Sequence, residues 1–215
     1  MRALIFGDVH GNLVALEEML QKERGEVDLL VSHGDVVNYG PWSNECVQLL
    51  DSIGCTCLRG NHEEAFLKGS YPGENAIVKA FFQHCYASFT EHDTIATYGD
   101  GVAVGDYKVQ HTLNDRYIYP DTDIETLNLQ QNAIIGHSHH QFSAETASGI
   151  KLFNTGSVGQ NRKFINVINY IIYDTSSAEL SLKALVYDVD VVIDKMKIDN
   201  YPSTCLNYYQ QKKRL

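Results

Sequence analysis

Arg2-Ala3-Leu4-Ile5-Phe6-Gly7-Asp8-Val9-His10-Gly11-Asn12 holds the pattern on which the reading of this chain turns. Ala3 to Phe6 is a short apolar run with the length of a buried strand. Gly7 stops it, and Asp8 and His10 follow two residues apart. On an extended or turning backbone such side chains project to the same side, so a carboxylate and an imidazole are offered together. Leu13, Leu16, Met19 and Leu20 then recur at helical spacing, which predicts a helix. The unit is a strand, a polar turn and a helix.

The same unit repeats downstream. Asp28 to Ser32 reads as a second strand and runs through His33 into Gly34-Asp35-Val36-Val37-Asn38-Tyr39-Gly40-Pro41. Asn44 to Leu50 reads as a helix, with Ser43 placed to cap it. Thr56 to Leu58 is a short third strand entering Arg59-Gly60-Asn61-His62-Glu63, and Glu74 to Phe89 is a longer helix. After that the character changes. Gly101 to Gln110 suits a short strand or hairpin leading to His111, and Asn132 to Ile135 a strand running into Gly136-His137-Ser138-His139. Lys151 to Phe153, Phe164 to Tyr173 and Glu179 to Tyr187 are further strands joined by Gly and Ser turns, for which antiparallel pairing is expected. The expected fold is α/β: a layered sandwich of two mostly mixed β-sheets flanked by helices, in one domain over residues 1–215.

Composition narrows the function. Hydrophobic residues at 44% and charged residues at 20% are an ordinary globular balance. No apolar run approaches the ~20 residues of a membrane helix. The opening apolar run is cut off at Gly7, too early for a secretory signal, so a cytoplasmic protein without a membrane partner is expected. A net charge of −10 opposes broad nucleic-acid binding. It leaves room for a small phosphorylated substrate, because bound cations reverse the sign of the field locally. The five cysteines form no CxxC pair and read as reduced core residues.

Four polar clusters stand directly after four strands, and ligands of α/β sheets bind beyond the carboxyl ends of strands. Taken singly, each cluster is commonplace: Asp-x-His is usually structural, and Asn61 alone would be a turn residue. Their joint order points to one crevice. His137-x-His139 repeats the geometry of Asp8-x-His10 with two imidazoles. Glycines at 7, 11, 34, 60 and 136 flank these residues and suit short ligand-bearing loops. His33 suits a packed strand end, His140 an exposed loop, and Glu63 a brace for its own loop. The Tyr-rich end, Tyr201 to Tyr209, suits packing.

The order Gly-Asp-x-His, Gly-Asp, Gly-Asn-His-Glu, His, Gly-His-x-His resembles the calcineurin-like metallophosphoesterases. Tyr39-Gly40-Pro41, Glu45-Cys46-Val47 and Asn154-Thr-Gly-Ser157-Val-Gly-Gln160, followed by Arg162, look like one small prokaryotic branch of phosphodiesterases and phosphatases. The resemblance covers about Arg2 to Arg162. It implies that Asp8, His10 and His139 bind one divalent metal, that Asn61, His111 and His137 bind a second, and that Asp35 bridges both. It implies that His62 faces the substrate and helps protonate the leaving oxygen or stabilises it. Arg59 and Asn12 are the implied phosphate and pocket contacts. From its place in the chain, Tyr39 suits a pocket-lining role and a packing role equally. Two departures stand out. His111 is followed by Thr112 rather than Gly, and Asn38-Tyr39 replaces the Asp-Arg of the Ser/Thr phosphatases, removing an arginine that grips phosphate.

The implied chemistry is phosphoester hydrolysis by metal-bound hydroxide at a dinuclear centre, where bound water falls from pKa ~15.7 to about 7. Imidazole-rich mixed ligation suits manganese, iron or zinc better than calcium. The expected substrates are phosphodiesters or phosphomonoesters, nucleotides among them. Dinucleoside polyphosphate hydrolysis and protein Ser/Thr dephosphorylation are the alternatives, and a non-catalytic metal-binding scaffold is the reading from another class.

Overall fold

In the computed structural model, which describes residues 1–215, the opening run forms β1 (Arg2–Phe6) and the helix after it is α1 (Leu13–Glu23). Next come β2 (Leu29–Ser32), α2 (Ser43–Ser52), β3 (Thr56–Cys57), α3 (Asn61–Lys68), α4 (Ala76–Tyr86) and α5 (His92–Ala96). The second half holds β4 (Val102–Val104), β5 (Tyr107–Val109), β6 (Ala133–Ile135), β7 (Gln141–Glu145), β8 (Lys151–Thr155), β9 (Val167–Asp174) and β10 (Glu179–Val186). Helices α6 (Val189–Ile198) and α7 (Ser203–Gln210) close the chain.

The strands make two five-stranded sheets, ordered β10-β9-β1-β2-β3 and β4-β5-β6-β8-β7. Both are mixed. In the first, β1, β2 and β3 run parallel while β9 and β10 pair antiparallel beside β1. In the second, β5, β6 and β8 run parallel between antiparallel edges β4 and β7. Antiparallel pairing therefore holds for β9 with β10. The strand at Lys151 joins the other sheet, antiparallel to β7 and parallel to β6.

The alternation of side chains explains the layering. Ala3 and Ile5 of β1 and Ile171 and Tyr173 of β9 point one way and meet Val104, Tyr107, Val109 and Ile134 of the second sheet. Leu4, Phe6, Ile168, Tyr170 and Ile172 point the other way into a larger core shared with the helices, including Leu16 and Met19 of α1, Phe81 of α4 and Met196 of α6. A strand buried on both faces shows no polar alternation, which is why β1 and β9 read as continuous apolar runs. A third cluster, Ile118, Ile124, Ala133, Ile135, Phe142 and Leu152, sits beneath the loop between β5 and β6.

Three local expectations change. Ser43 is the first residue of α2 rather than its cap, and its Oγ instead accepts the amide of Asn38 at 3.0 Å. The longer helix begins at Ala76, where Asn75 accepts the amides of Ile77 and Val78. Helix α3 starts at Asn61, which taken alone reads as a turn residue.

Candidate metal centre

Each ligand-type side chain leaves the end of a strand of one of the two sheets. Asp8 and His10 follow β1, Asp35 follows β2, Asn61 opens α3 after β3, His111 follows β5, and His137 and His139 follow β6. The backbone there is not extended. Asp8, His10, Asp35, His137 and His139 all have φ between 48° and 68°, the left-handed region. Such conformations cost a non-Gly residue of order 1–3 kcal/mol each and persist only where the surrounding structure imposes them. The flanking glycines serve space more than turning. A β-carbon on Gly7 would stand 2.3 Å from the His33 ring, and one on Gly60 would stand 2.2 Å from Asp35 Oδ1.

The donors converge. Asp8, His10 and His139 have ligand atoms within 4.8 Å of one another, as do Asp35, His111 and His137, and also His10, Asp35 and His62. His10 Nε2 lies 3.2 Å from His139 Nε2, and His111 Nε2 lies 3.2 Å from His137 Nδ1, Asn61 Oδ1 and Asp35 Oδ2. Imidazole nitrogens crowded this closely around carboxylates are the donor set of a transition-metal site. Asp8 Oδ1 is buried with no hydrogen-bond donor, which a cation would satisfy. The residues present therefore fit bound metal.

The surroundings set the tautomers. His10 Nδ1 faces the carbonyl of Val37 at 3.2 Å and His139 Nδ1 that of Gln160 at 2.8 Å. A carbonyl accepts only from N–H, so both rings keep their proton on Nδ1 and turn the Nε2 lone pair inward. Asp8 Oδ2 accepts the amide of His137 at 2.9 Å, and Asp35 Oδ1 that of His62 at 2.8 Å. Burial alone would raise both aspartates. His139 foremost at Asp8, and His111 foremost at Asp35, outweigh it and hold both carboxylates below their usual range.

Glu63 braces the Asp35 loop. Its Oε2 accepts the amides of Asp35 and Gly60, each at 2.8 Å, and its Oε1 those of Val36 and Val37 at 2.7 and 3.2 Å. His33 is fully buried, with Nε2 at 2.7 Å from Thr155 Oγ1 and 4.0 Å from Asp8 Oδ2. The turn from Gly156 to Gly159 supports Asp8: the amides of Val158 and Gly159 go to the carbonyls of Gly7 and Asp8, and Ser157 Oγ donates to the latter.

His62 lies at the edge of the cluster, Nε2 at 4.0 Å from Asp35 Oδ2, with its Nδ1 at 2.8 Å from Asn38 Nδ2. Its ring stands edge-on to His10 and stacks at 5.9 Å on Tyr71. Tyr39 is buried, with φ of 65°, and packs edge-on against His10 at 4.8 Å.

Two expected contacts sit elsewhere. Arg59 Nη2 donates to the carbonyls of Ala96 and Tyr98 at 3.3 and 2.9 Å, so its charge serves the end of α5 instead of a phosphate. Asn12 spends its side chain on structure: Oδ1 accepts the amide of Ala15, and Nδ2 donates to Tyr187 Oη and the Gly159 carbonyl. His140 lies at the rim, its Nδ1 at 2.7 Å from the Ser138 carbonyl.

The sequence profile described as calcineurin-like phosphoesterase matches residues 1–193. The chain belongs to this family. As a metallophosphoesterase it is a metal-dependent phosphoric ester hydrolase. An uncharacterized protein of Methanocaldococcus jannaschii is 27% identical to this phosphoesterase, over 92% of the chain and 93% of its own length. Serine/threonine-protein phosphatase 1 of Salmonella typhimurium is 42% identical, over only 34% of this chain and 35% of its own. Among solved structures, a metallophosphoesterase from Sphaerobacter thermophilus superposes with a TM-score of 0.79 at 24% identity, covering 98% of this chain and 99% of its own. A hypothetical protein of Pyrococcus horikoshii OT3 superposes at 0.84 with 13% identity, covering 97% of each chain. At those identities the likeness establishes the fold.

Proposed function

We propose that this phosphoesterase hydrolyses small phosphomonoesters or phosphodiesters on a pair of divalent cations, manganese, iron or zinc. Asp8, His10 and His139 would hold one cation, Asn61, His111 and His137 the other, and Asp35 both. The observation that carries this reading is the position of Asp35, which shares one cluster with His10 and another with His111 and His137. Bound there, the cations supply Lewis acidity and an acidified water at neutral pH.

The chain's own residues supply the rest. Nδ1–H bonds to Val37 and Gln160 orient His10 and His139 before any ion arrives. Glu63 fixes the loop that presents Asp35. His62 stands beside Asp35 with Nε2 free of other protein partners. From there it can give a hydrogen bond, or a proton, to the departing ester oxygen. The two aspartates cancel only half the charge of two divalent cations, so the crevice attracts an anion although the protein is acidic.

One observation favours a substrate carrying a base or another flat ring. Tyr117, 56% exposed, stacks on His137 at 4.0 Å, and Tyr119 lies parallel to it at 6.3 Å. An exposed aromatic face against a metal-site histidine suits a nucleotide better than a phosphoserine peptide. A putative diadenosine tetraphosphatase shares the fold at a TM-score of 0.59. The test is turnover of a chromogenic monoester, the matching diester and a nucleotide panel by the manganese-loaded protein. Activity abolished by chelation and by Asp35→Ala supports the proposal. A metal-loaded protein inert to all of them would favour a scaffold.

A further inference from the structure

Two histidines of the centre each carry a tyrosine ring on one face. Tyr71, half-buried in the loop between α3 and α4, stacks on His62 with ring centres 5.9 Å apart and planes 16° from parallel. Tyr117, exposed in the loop between β5 and β6, stacks on His137 at 4.0 Å and 27°. The two histidines belong to different clusters: His62 shares one with His10 and Asp35, and His137 another with Asp35 and His111. Asp35 links them. Its Oδ2 lies 4.0 Å from His62 Nε2 and 3.2 Å from His111 Nε2, which in turn lies 3.2 Å from His137 Nδ1. The run of contacts from His62 through Asp35 and His111 to His137 therefore carries a flat ring at each end.

Both rings are seated by their loops. Gly73 makes room for Tyr71, because a β-carbon there would stand 2.6 Å from its ring, and Phe82 flanks the ring at 6.3 Å. Ile118, next to Tyr117, is buried in the cluster beneath the β5–β6 loop and anchors it. Tyr117 itself keeps more than half its surface in solvent, so burial does not account for an aromatic residue there.

The chemistry of the centre gives each ring a side. The departing oxygen leaves beside His62, so the group attached to it lies along Tyr71. The ester group that stays on phosphorus lies towards His137 and along Tyr117. A monoester has one organic group and leaves one ring bare. The net charge of −10 opposes a long nucleic-acid strand, but a short diester brings one phosphate and two rings.

We infer that Tyr71 and Tyr117 are specificity-determining residues that select a phosphodiester with a flat ring on each side of phosphorus, the chemistry of two nucleosides joined through one phosphate. Tyr71 receives the group that leaves and Tyr117 the group that stays. The inference rests on the two-cation reading of the centre and deepens it by choosing diester over monoester.

The experiment uses two diesters that share a leaving group and differ in the group that stays: methyl nitrophenyl phosphate and the nitrophenyl ester of thymidylate. Their kcat/KM is measured with the manganese-loaded wild type, Tyr71→Ala, Tyr117→Ala, Tyr71→Phe and Tyr117→Phe. The wild type should prefer the thymidylate ester, and Tyr117→Ala should cut that preference by roughly 5- to 100-fold, the worth of one base stacked on a ring. Tyr71→Ala should lower both diesters by a similar factor and keep the preference, because both carry the nitrophenyl ring. The Phe variants retain the flat face and should behave as the wild type. If Tyr71→Ala does not fold, Tyr71→Leu removes the flat face at similar bulk. Binding is read without turnover by calorimetric titration of benzylphosphonate and methylphosphonate, whose C–P bonds resist hydrolysis. The wild type should bind the benzyl compound about fivefold or more tightly, and the Tyr71→Ala/Tyr117→Ala double variant should bind the two alike. An unchanged preference in Tyr117→Ala, a Tyr71 variant as active as the wild type on both diesters, or a double variant that still favours benzylphosphonate would overturn the inference. So would a wild type that turns over the monoester nitrophenyl phosphate faster than either diester. Failure of the two-cation reading shows separately, as a wild type that takes up no metal in elemental analysis, and it would take the inference with it.

Discussion

Glu63 accepts the backbone amide of Asp35 at 2.8 Å, and this bond ties the loop that presents Asp35 to the first turn of α3. Burial, and then the Asp35 charge, push the Glu63 carboxyl up to about 7, opposed by the amides of Gly60 and Asp35. Glu63→Gln puts an NH2 group against amide donors. It should cost about 1.5–3 kcal/mol of stability, seen as a lowered Tm in the metal-free protein. Metal affinity should fall by about 10- to 100-fold. A variant as stable and as metal-avid as the wild type would show that the brace is dispensable.

Asp35→Ala should empty both clusters at once, whereas His139→Ala should affect one. Elemental analysis after loading and desalting separates them. Equal residual metal in the two variants would contradict a shared Asp35.

His62→Asn should retain metal and lose roughly 10²- to 10⁴-fold in kcat, the usual worth of a general acid. Loss of metal instead would place His62 among the ligands, as its cluster with His10 and Asp35 permits.

Gly7→Ala should destabilise through overpacking by about 1–3 kcal/mol, because the nearest atoms its β-carbon meets belong to the His33 ring, at 2.3 Å. In a His33→Ala background the same change should cost much less. Additive costs in denaturant titrations of the double-mutant cycle would refute the contact as the cause.

Burial pushes the Cys85 thiol up to about 12 from its ordinary 9.0. The folded state therefore holds its proton where the unfolded chain releases it. This contribution to stability is fully present below about pH 9 and is lost as pH rises towards 12. Thiol reagent at pH 8 should label Cys85 only at the rate of unfolding, and Cys85→Ala should flatten the alkaline decline of Tm. Immediate labelling of Cys85 in the native protein would contradict its burial.

Much of the centre is legible in the chain because ligand chemistry restricts residue type. Carboxylates and imidazoles two apart are commonplace singly, but four polar clusters placed after four strands point to one crevice. The left-handed backbone beneath Asp8, His10 and His137 is not legible, since local propensity disfavours it and only the sheets impose it. Arg59 and Asn12 mislead because their sequence neighbours are site residues while their side chains turn to α5 and α1. Helix α3 is hidden by its opening Asn-His, whose cap is the reach-back of Glu63 to Gly60.

The convergence of Asp8, His10, Asp35 and Asn61 from one sheet with His111, His137 and His139 from the other makes the centre a seam. Every ion seated there would be gripped by residues from both halves of the polypeptide. On the proposed ligation neither half would complete a cluster alone, so occupancy would report that the halves have docked. An ion bound there would rivet the sandwich shut at a place where five side chains of ligand type stand on left-handed backbone.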